Sequence, residues 1–117
     1  MKPLIFIIED DRKLNEIFSL SLKSDFDIET CMDGKTALER LKFVKPDIMV
    51  LDLNLPGTSG ANILTYVRGD DRLKNVRVIL TTADERQAET LNNTADIVLL
   101  KPVNPTMLKE MALRLSG

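Results

Sequence analysis

Short apolar runs recur along the chain and are separated by longer stretches in which apolar residues return with helical spacing. Most of these runs are continuous rather than alternating, which is typical of strands buried on both faces of a parallel sheet. The second run, near residues 26–30, is the weakest. The pattern predicts strands at residues 4–8, 26–30, 48–51, 78–80 and 97–100.

Amphipathic stretches after the runs predict five helices. The fourth, within residues 84–94, has only Ala88 and Leu91 as apolar residues, so we expect it to be the least firmly packed. Asp11 is expected to cap the first helix, and the charged stretch 68–77 is predicted to be a solvated loop. The apolar faces comprise Leu14, Ile17, Phe18 and Leu22 in the first helix, Ala37, Leu38 and Leu41 in the second, Ile63, Leu64 and Val67 in the third, and Met107, Leu108, Met111, Ala112 and Leu115 in the last.

Alternation of strands and helices in short units indicates one α/β fold. Five units in 117 residues suit short loops and right-handed crossovers, and therefore a doubly wound parallel sheet with helices on both faces. We predict a single domain over residues 1–117. Periodicity alone does not give the strand order.

Composition excludes several functions. The chain has no histidine, which excludes Ser-His-Asp catalysis and His-ligated zinc. The net charge of −2 offers no electrostatic footprint for direct binding of nucleic acid. No stretch approaches the roughly 18 apolar residues of a membrane span. A single cysteine, Cys31, is expected to be a small buried residue and fits a reducing, cytoplasmic location.

Polar residues with chemical potential follow four of the five predicted strands. Glu9 and Asp10 follow the first strand, Asp52 the third, Thr82 the fourth and Lys101 the fifth. In an open α/β sheet the carboxyl ends of the strands form the ligand-binding edge. We therefore expect these side chains to converge at one edge of the sheet.

Such a set of groups suits phosphoryl transfer. Clustered carboxylates repel one another, and a hard divalent cation relieves that repulsion; oxygen-only ligands point to Mg²⁺, with Mn²⁺ as a substitute. Lys101 and Thr82 could contact phosphoryl oxygens, and Asp52 could be the nucleophile that forms an aspartyl phosphate. Taken singly, each group has a structural interpretation as a helix cap, a solvated turn or a β-forming residue. Their occurrence together at four strand ends favours a shared site.

At these residues the chain resembles the receiver domain of two-component response regulators. The resemblance spans the whole chain and implies a flavodoxin-like sheet with strand order 2-1-3-4-5. The segments that carry it are residues 7–11 (IIEDD), 47–60 (DIMVLDLNLPGTSG), 78–83 (VILTTA) and 95–102 (ADIVLLKP).

The resemblance implies a role for each acidic residue. Asp52 resembles the phosphoacceptor. Asp10 resembles the direct Mg²⁺ ligand, and Glu9 resembles the residue that reaches the ion through water. Asn54 occupies the position whose backbone carbonyl binds the metal.

The resemblance also implies a switch, with one departure from the family. Thr82 resembles the switch hydroxyl and Lys101 the phosphoryl-binding lysine, whose bond to Pro102 is expected to be cis. The family commonly has Tyr or Phe three residues before the lysine, where this chain has Val98. All five aromatic residues precede Thr82, so the usual output switch lacks its aromatic ring at this position.

From these residues we predict a phosphoacceptor receiver domain rather than an enzyme with a substrate of its own. The phosphoryl donor is expected to be a sensor histidine kinase or a histidine phosphotransfer protein. A homodimer through the face of the fourth helix, fifth strand and fifth helix is one candidate assembly, and the sequence does not give the oligomeric state. The sequence stops just after the fifth predicted helix, so we expect a stand-alone regulator or a domain of a longer protein. Two alternatives are a phosphorylation-independent interaction module and a Mg²⁺-dependent phosphatase with an aspartate nucleophile.

Overall fold

Five strands and five helices alternate along the chain in the computed structural model, which describes all 117 residues. Every predicted strand and helix is present. The strands are β1 (Leu4–Ile8), β2 (Asp27–Cys31), β3 (Ile48–Asp52), β4 (Arg77–Thr82) and β5 (Ile97–Leu100). The helices are α1 (Arg12–Leu22), α2 (Gly34–Leu41), α3 (Gly60–Gly69), α4 (Glu85–Leu91) and α5 (Pro105–Ser116).

The strands form one parallel sheet in the order β2-β1-β3-β4-β5. This is the doubly wound, flavodoxin-like arrangement, so the predicted fold class and strand order are confirmed. Because all strands run the same way, the chain leaves β1, β3, β4 and β5 at the same edge of the sheet. All five residues of the central strand β3 are buried, which accounts for its continuous apolar sequence.

Helices cover both faces of the sheet. On one face α1 and α5 pack on alternate strand residues through Phe18, Leu22, Leu108 and Ala112. On the other face α2 and α3 supply Ala37, Leu41, Ile63, Leu64 and Val67. These two apolar clusters hold the strands rigidly enough to fix the positions of the residues that follow them.

Each helix begins at a side chain that caps it. Asp11, Asp33, Ser59, Asp84 and Asn104 accept hydrogen bonds from backbone N–H groups in the first turns of α1 to α5. Such caps satisfy donors that the helix itself leaves unpaired, and each contributes about 1 kcal/mol. The prediction that Asp11 caps the first helix is confirmed.

The packing of the helices agrees with the sequence only in part. As predicted, α4 is the least firmly packed helix, since none of its residues is buried. Ile17 and Met107 were expected on buried faces but are 42% and 50% exposed. In α1 and α5 the apolar stripe is wider than the arc that the sheet covers, so these residues at its border remain in solvent.

The charged stretch 68–77 is a largely exposed loop over residues 70–76, as predicted, but it also contributes to the core. Leu73 and Val76 are buried in the core beside α3. The Arg68 guanidinium donates to the carbonyls of Lys74, Val76 and Thr94 and pairs with Asp96 at 3.0 Å. The planar guanidinium therefore satisfies three backbone carbonyls that lie outside the strands, and it holds the loop before β4 against the loop before β5.

Two glycines shape the segment between β3 and α3. Gly57 has φ of +75°, a left-handed conformation that side chains disfavour. At Gly60 an added Cβ would lie 2.3 Å from the backbone oxygen of Asp52 and 2.7 Å from the Cα of Leu53. The start of α3 is thus pressed directly against the end of β3.

Gly60→Ala should destabilise the protein by about 3 kcal/mol or more, because backbone atoms must move to admit the methyl group. Gly69→Ala is the matched control in the same helix. A Cβ there meets nothing within 4 Å and the φ is not left-handed, so we expect a gain of about 0.5 kcal/mol. Urea unfolding of the two variants measures the difference. Equal stability of the two would contradict the close approach at Gly60.

Candidate functional site

Three carboxylates from two strand ends meet at the carboxyl edge of the sheet. Glu9, Asp10 and Asp52 each offer one oxygen, and these oxygens lie within 4.8 Å of one another. Glu9 and Asp52 are each 1% exposed, whereas Asp10 is exposed to solvent. The predicted convergence of these residues is confirmed. Burial of two like charges at such a distance is costly without a compensating cation.

Lys101 supplies one positive charge to this cluster. Its Nζ lies 3.1 Å from Asp52 Oδ2 and 3.6 Å from Glu9 Oε1. Partial burial of the ammonium acts to lower the pKa of Lys101, but the hydrogen bond and charge of Asp52, aided by Glu9, outweigh it and raise the net pKa. Lys101 therefore stays charged and holds the Asp52 carboxylate.

Both oxygens of Asp52 have a partner. Oδ2 accepts from Lys101, and Oδ1 accepts from the backbone N–H of Asn54 at 3.0 Å. The resemblance implies that the Asn54 backbone carbonyl binds the metal. In the structure, the Asn54 group that contacts Asp52 is the backbone N–H. The assignment of the carbonyl to a metal stays a prediction.

Glu9 has an unusual protonation equilibrium. Burial raises the pKa of its carboxyl from 4.5 to about 7; the Asp11 N–H acts against the rise and the Asp52 charge adds to it. Oε2 accepts from the Asp11 N–H at 3.0 Å. Oε1 is buried without a hydrogen-bond partner, since Lys101 Nζ at 3.6 Å is too far to form one.

These residues fit a hard divalent cation. Three carboxylates face one ammonium, so one positive charge is too few for the three negative charges of the ionised site. Every side-chain donor in the acidic cluster is oxygen, which suits Mg²⁺ better than softer metals. The unpartnered Oε1 of Glu9 is a further acceptor that an ion or its water could satisfy.

Thr82 lies at the end of β4, with its side chain directed to α4. The residue is fully buried. Its hydroxyl donates to Gln87 Oε1 at 3.0 Å and accepts from the Asp84 N–H at 3.0 Å. Its carbonyl accepts from the Lys101 N–H at 2.8 Å, which joins the ends of β4 and β5. The structure thus brings Thr82 to the site edge but gives its hydroxyl no contact with Asp52.

Two further sequence-based expectations concern the end of β5. The Lys101–Pro102 peptide bond is cis, as predicted. Val98 is partly buried and packs with Leu91 against the core on the α4 face. The position that the family commonly fills with an aromatic ring therefore holds a small aliphatic side chain.

Sequence reasoning missed Asn15, which supports the site from α1. This buried amide donates to the carbonyls of Glu9 at 3.0 Å and Cys31 at 3.2 Å, joining the ends of β1 and β2. Its spacing of three and seven residues from Phe18 and Leu22 places it on the buried face, which is a usable signal. Cys31 is buried as expected, and burial raises the pKa of its thiol to about 12.

Sequence reasoning also missed Gln87, the partner of Thr82. The signal was the spacing Asp84-x-x-Gln87, which is typical of a capping box at a helix start. That spacing predicts a contact within the helix and gives no hint that Thr82 takes part in it.

A parallel five-stranded sheet with an acidic cluster and a lysine at its carboxyl edge defines a class of signalling module. The family model for the response regulator receiver domain matches residues 5–113. The chain belongs to this family.

Curated relatives carry the same domain within longer proteins. The DNA-binding response regulator MtrA of Mycobacterium tuberculosis is 30% identical over 112 residues, covering 92% of this chain and 48% of MtrA. The phosphate regulon regulator PhoB of Rhizobium meliloti is 29% identical, covering 87% of this chain and 47% of PhoB. The chain therefore spans about half the length of these relatives.

Solved structures show the same architecture. The chemotaxis response regulator CheY4 of Vibrio cholerae superposes with a TM-score of 0.90 at 22% identity, covering 98% of this chain and 99% of CheY4. The BeF₃-activated receiver domain of DrrB, a Thermotoga maritima protein, gives 0.89 at 25% identity, covering 99% and 98%. None of the helices of this chain has the length and apolar character that a membrane crossing requires.

The raised pKa of Glu9 predicts how stability without metal depends on pH. The folded state holds a proton up to about pH 7, whereas the unfolded state releases it near 4.5. The contribution of Glu9 to the free energy of unfolding is therefore largest below pH 4.5. It falls by up to about 3 kcal/mol as the pH rises to about 7. Glu9→Gln, which keeps an acceptor for the Asp11 N–H, should flatten this slope in denaturant unfolding with a metal chelator.

Glu29→Gln is the control for this experiment. A hydrogen bond from Arg40 lowers the pKa of Glu29. The contribution of Glu29 to stability is therefore lost only when the pH falls below 4.5, the ordinary pKa of this carboxyl. The slope between pH 5 and 7.5 should survive in this variant. If Glu9→Gln retained the full slope, Glu9 would not be its source.

Proposed function

We propose that Asp52 accepts a phosphoryl group and so makes this receiver domain a phosphorylation-dependent signalling module. The observation that carries the proposal is the buried Asp52 carboxylate held by Lys101 Nζ at 3.1 Å, with two more carboxylates within 4.8 Å. A carboxylate with a purely structural role needs only one partner of opposite charge. The Asp52 carboxylate has such a partner in Lys101, but it also lies next to the carboxylates of Glu9 and Asp10, which repel it. That arrangement is understandable when a cation and an anionic group share the site.

The transfer forms one bond and breaks another. An oxygen of the Asp52 carboxylate forms an O–P bond to the phosphoryl group while the N–P bond of a phosphohistidine breaks, and its electron pair leaves with the imidazole. Lys101 lies beside Asp52, where its ammonium can neutralise a phosphoryl oxygen. Thr82 can donate its hydroxyl proton to another oxygen after reorientation.

Mg²⁺, or Mn²⁺ in its place, is the proposed cofactor. Asp10 and Asp52 would hold it by carboxylate oxygens, Asn54 by its backbone carbonyl, and Glu9 through water. When bound, the ion supplies charge neutralisation at the transferring phosphoryl group. The exposed position of Asp10 leaves the ion accessible to solvent water, which Mg²⁺ retains in proteins.

The proposed donor is a sensor histidine kinase or a histidine phosphotransfer protein. An apolar cavity of about 370 Å³ opens next to Lys101, lined by Leu14, Phe18, Pro102 and Val103. A donor that presents its phosphohistidine to Asp52 would cover this cavity, and an apolar helix face suits it. The proposed place of this exchange is the cytoplasm, where a single buried cysteine such as Cys31 stays a thiol.

We also propose a homodimer through α4, β5 and α5. Leu100 and Met107 on this side are 46% and 50% exposed, and β5 is an edge strand. Exposed apolar side chains beside an unpaired edge are suited to a partner surface.

Neither alternative function accounts for the site equally well. A phosphatase with an aspartate nucleophile places an Asp two residues beyond it, where this chain has Asn54. An interaction module that needs no phosphorylation would not require the acidic residues to be kept so close. Acetyl phosphate labelling and the turnover of a small phosphoester distinguish the three functions.

Asp52→Asn should abolish labelling by acetyl phosphate in the presence of Mg²⁺. The amide keeps the shape of the side chain but removes the nucleophile. Intact-mass spectrometry should detect one phosphoryl group on the wild type and none on the variant.

Asp11→Asn is the matched control for this prediction. It also changes one acid of the same edge to its amide, and Asn caps a helix as well as Asp does. It should be labelled like the wild type. Equal labelling of Asp52→Asn, with the adduct mapped to another residue, would overturn the assignment.

Asp10→Ala should abolish stabilisation by Mg²⁺ without destabilising the metal-free protein. The substitution removes a ligand and also relieves carboxylate repulsion. In the wild type, Mg²⁺ at ten times its Kd should add about 1.4 kcal/mol to the free energy of unfolding. Thermal unfolding with and without Mg²⁺ measures both effects. An undiminished Mg²⁺ shift in the variant would place the ion elsewhere.

A further inference from the structure

The Thr82 hydroxyl already uses its only proton in a hydrogen bond that points away from the acceptor site. It donates to Gln87 Oε1 at 3.0 Å, while the Asp84 N–H donates to its oxygen at 3.0 Å. Because the hydroxyl has one proton, it cannot donate to a phosphoryl oxygen on Asp52 and to Gln87 together.

This pair of bonds alters an ordinary feature of a helix start. Asp84 caps α4 and Gln87 is the third residue of the helix, so the Gln87 side chain would be expected to reach back to the Asp84 N–H. Instead the Asp84 N–H donates to the Thr82 hydroxyl, and the Thr82 hydroxyl donates to Gln87 Oε1. A residue of β4 is thus inserted into the capping arrangement of α4.

Water is available to only part of this arrangement. Thr82 is fully buried, Gln87 is half-buried and Asp84 is exposed. The half-buried Gln87 amide can therefore replace its contact with Thr82 by one with water. The buried hydroxyl has no such exchange, so its donation to Gln87 stabilises the resting orientation.

We infer that Gln87 is a positioning residue that holds the Thr82 hydroxyl turned toward α4 until a phosphoryl group is present on Asp52. Donation to the phosphoryl group breaks the bond to Gln87 and so releases a tie between β4 and α4. This inference rests on the proposed function. It also identifies a link to α4 that needs no aromatic ring at the position of Val98.

The packing of α4 makes the loss of one tie significant. None of the helix residues is buried, and the Thr82–Gln87 bond is the one side-chain hydrogen bond recorded between the helix itself and the sheet. Leu91 packs only partly against the core. Few other interactions therefore oppose a shift of the helix when the bond breaks.

Gln87→Met tests the inference because it keeps the length of the side chain and removes the amide oxygen. BeF₃⁻ with Mg²⁺ serves as the phosphoryl mimic, and ¹⁹F NMR of the bound fluorides gives its apparent Kd. Loss of the resting bond should tighten BeF₃⁻ binding about three- to tenfold. Without BeF₃⁻, the Thr82 methyl resonance should already move toward its bound position.

Two further variants separate positioning from a general loosening of the helix. Gln87→Glu keeps an oxygen acceptor for the Thr82 hydroxyl, so it should show no gain in affinity. Thr90→Val removes a hydrogen bond within α4, from the Thr90 hydroxyl to the Arg86 carbonyl, and should leave BeF₃⁻ binding within twofold of the wild type.

Thr82→Val completes the test because it removes the hydroxyl and keeps the shape. In that background, Gln87→Met should change the apparent Kd by less than twofold. An equal gain with and without the hydroxyl, or no gain in the wild-type background, overturns the role of Gln87. If the wild type itself fails to bind BeF₃⁻, the proposed phosphoacceptor function fails instead.

Discussion

The contact between Lys101 and Asp52 is the interaction on which the site depends. One ammonium lies 3.1 Å from Asp52 and 3.6 Å from Glu9, and it is the only positive charge within salt-bridge distance of either carboxylate. This single positive charge faces three carboxylates, and burial in addition raises the pKa of Glu9. An edge of the sheet in this condition suits a divalent cation and, with the cation, the proposed phosphoryl group. The proposed phosphoryl transfer therefore depends on the incomplete neutralisation of the three carboxylates by Lys101.

Keeping like charges this close requires a rigid scaffold. The charged residues lie at the ends of β1, β3 and β5 in one parallel sheet, with apolar clusters on both faces of the sheet. Asn15 ties together the ends of β1 and β2, and Gly60 lets α3 approach the end of β3 without a side chain between them. With backbone positions fixed in this way, repulsion cannot relax by moving the strands apart.

The α4 side of the molecule has the opposite character. Its helix buries no residue, and Val98 offers only a small contact to the core behind it. The hydrogen bond from Thr82 to Gln87 connects this loosely held helix to the rigid edge. The charged groups are thus held rigidly at the sheet edge, while α4 is weakly packed. This combination would let a charge added at the sheet edge shift α4 and so alter the protein surface.

The sequence alone determined the strands, the helices, the weakness of α4 and the set of residues at the carboxyl edge, because periodicity and strand-end position are local properties of a chain. The strand order came from the resemblance of four segments to a known family, and pairing in the sheet bore it out. Only the tertiary structure decided that Ile17 and Met107 remain exposed, that Leu73 is buried, and that the Thr82 hydroxyl faces Gln87. Each of these depends on which element covers which side of a residue, and a pattern of apolar and polar positions does not contain that information.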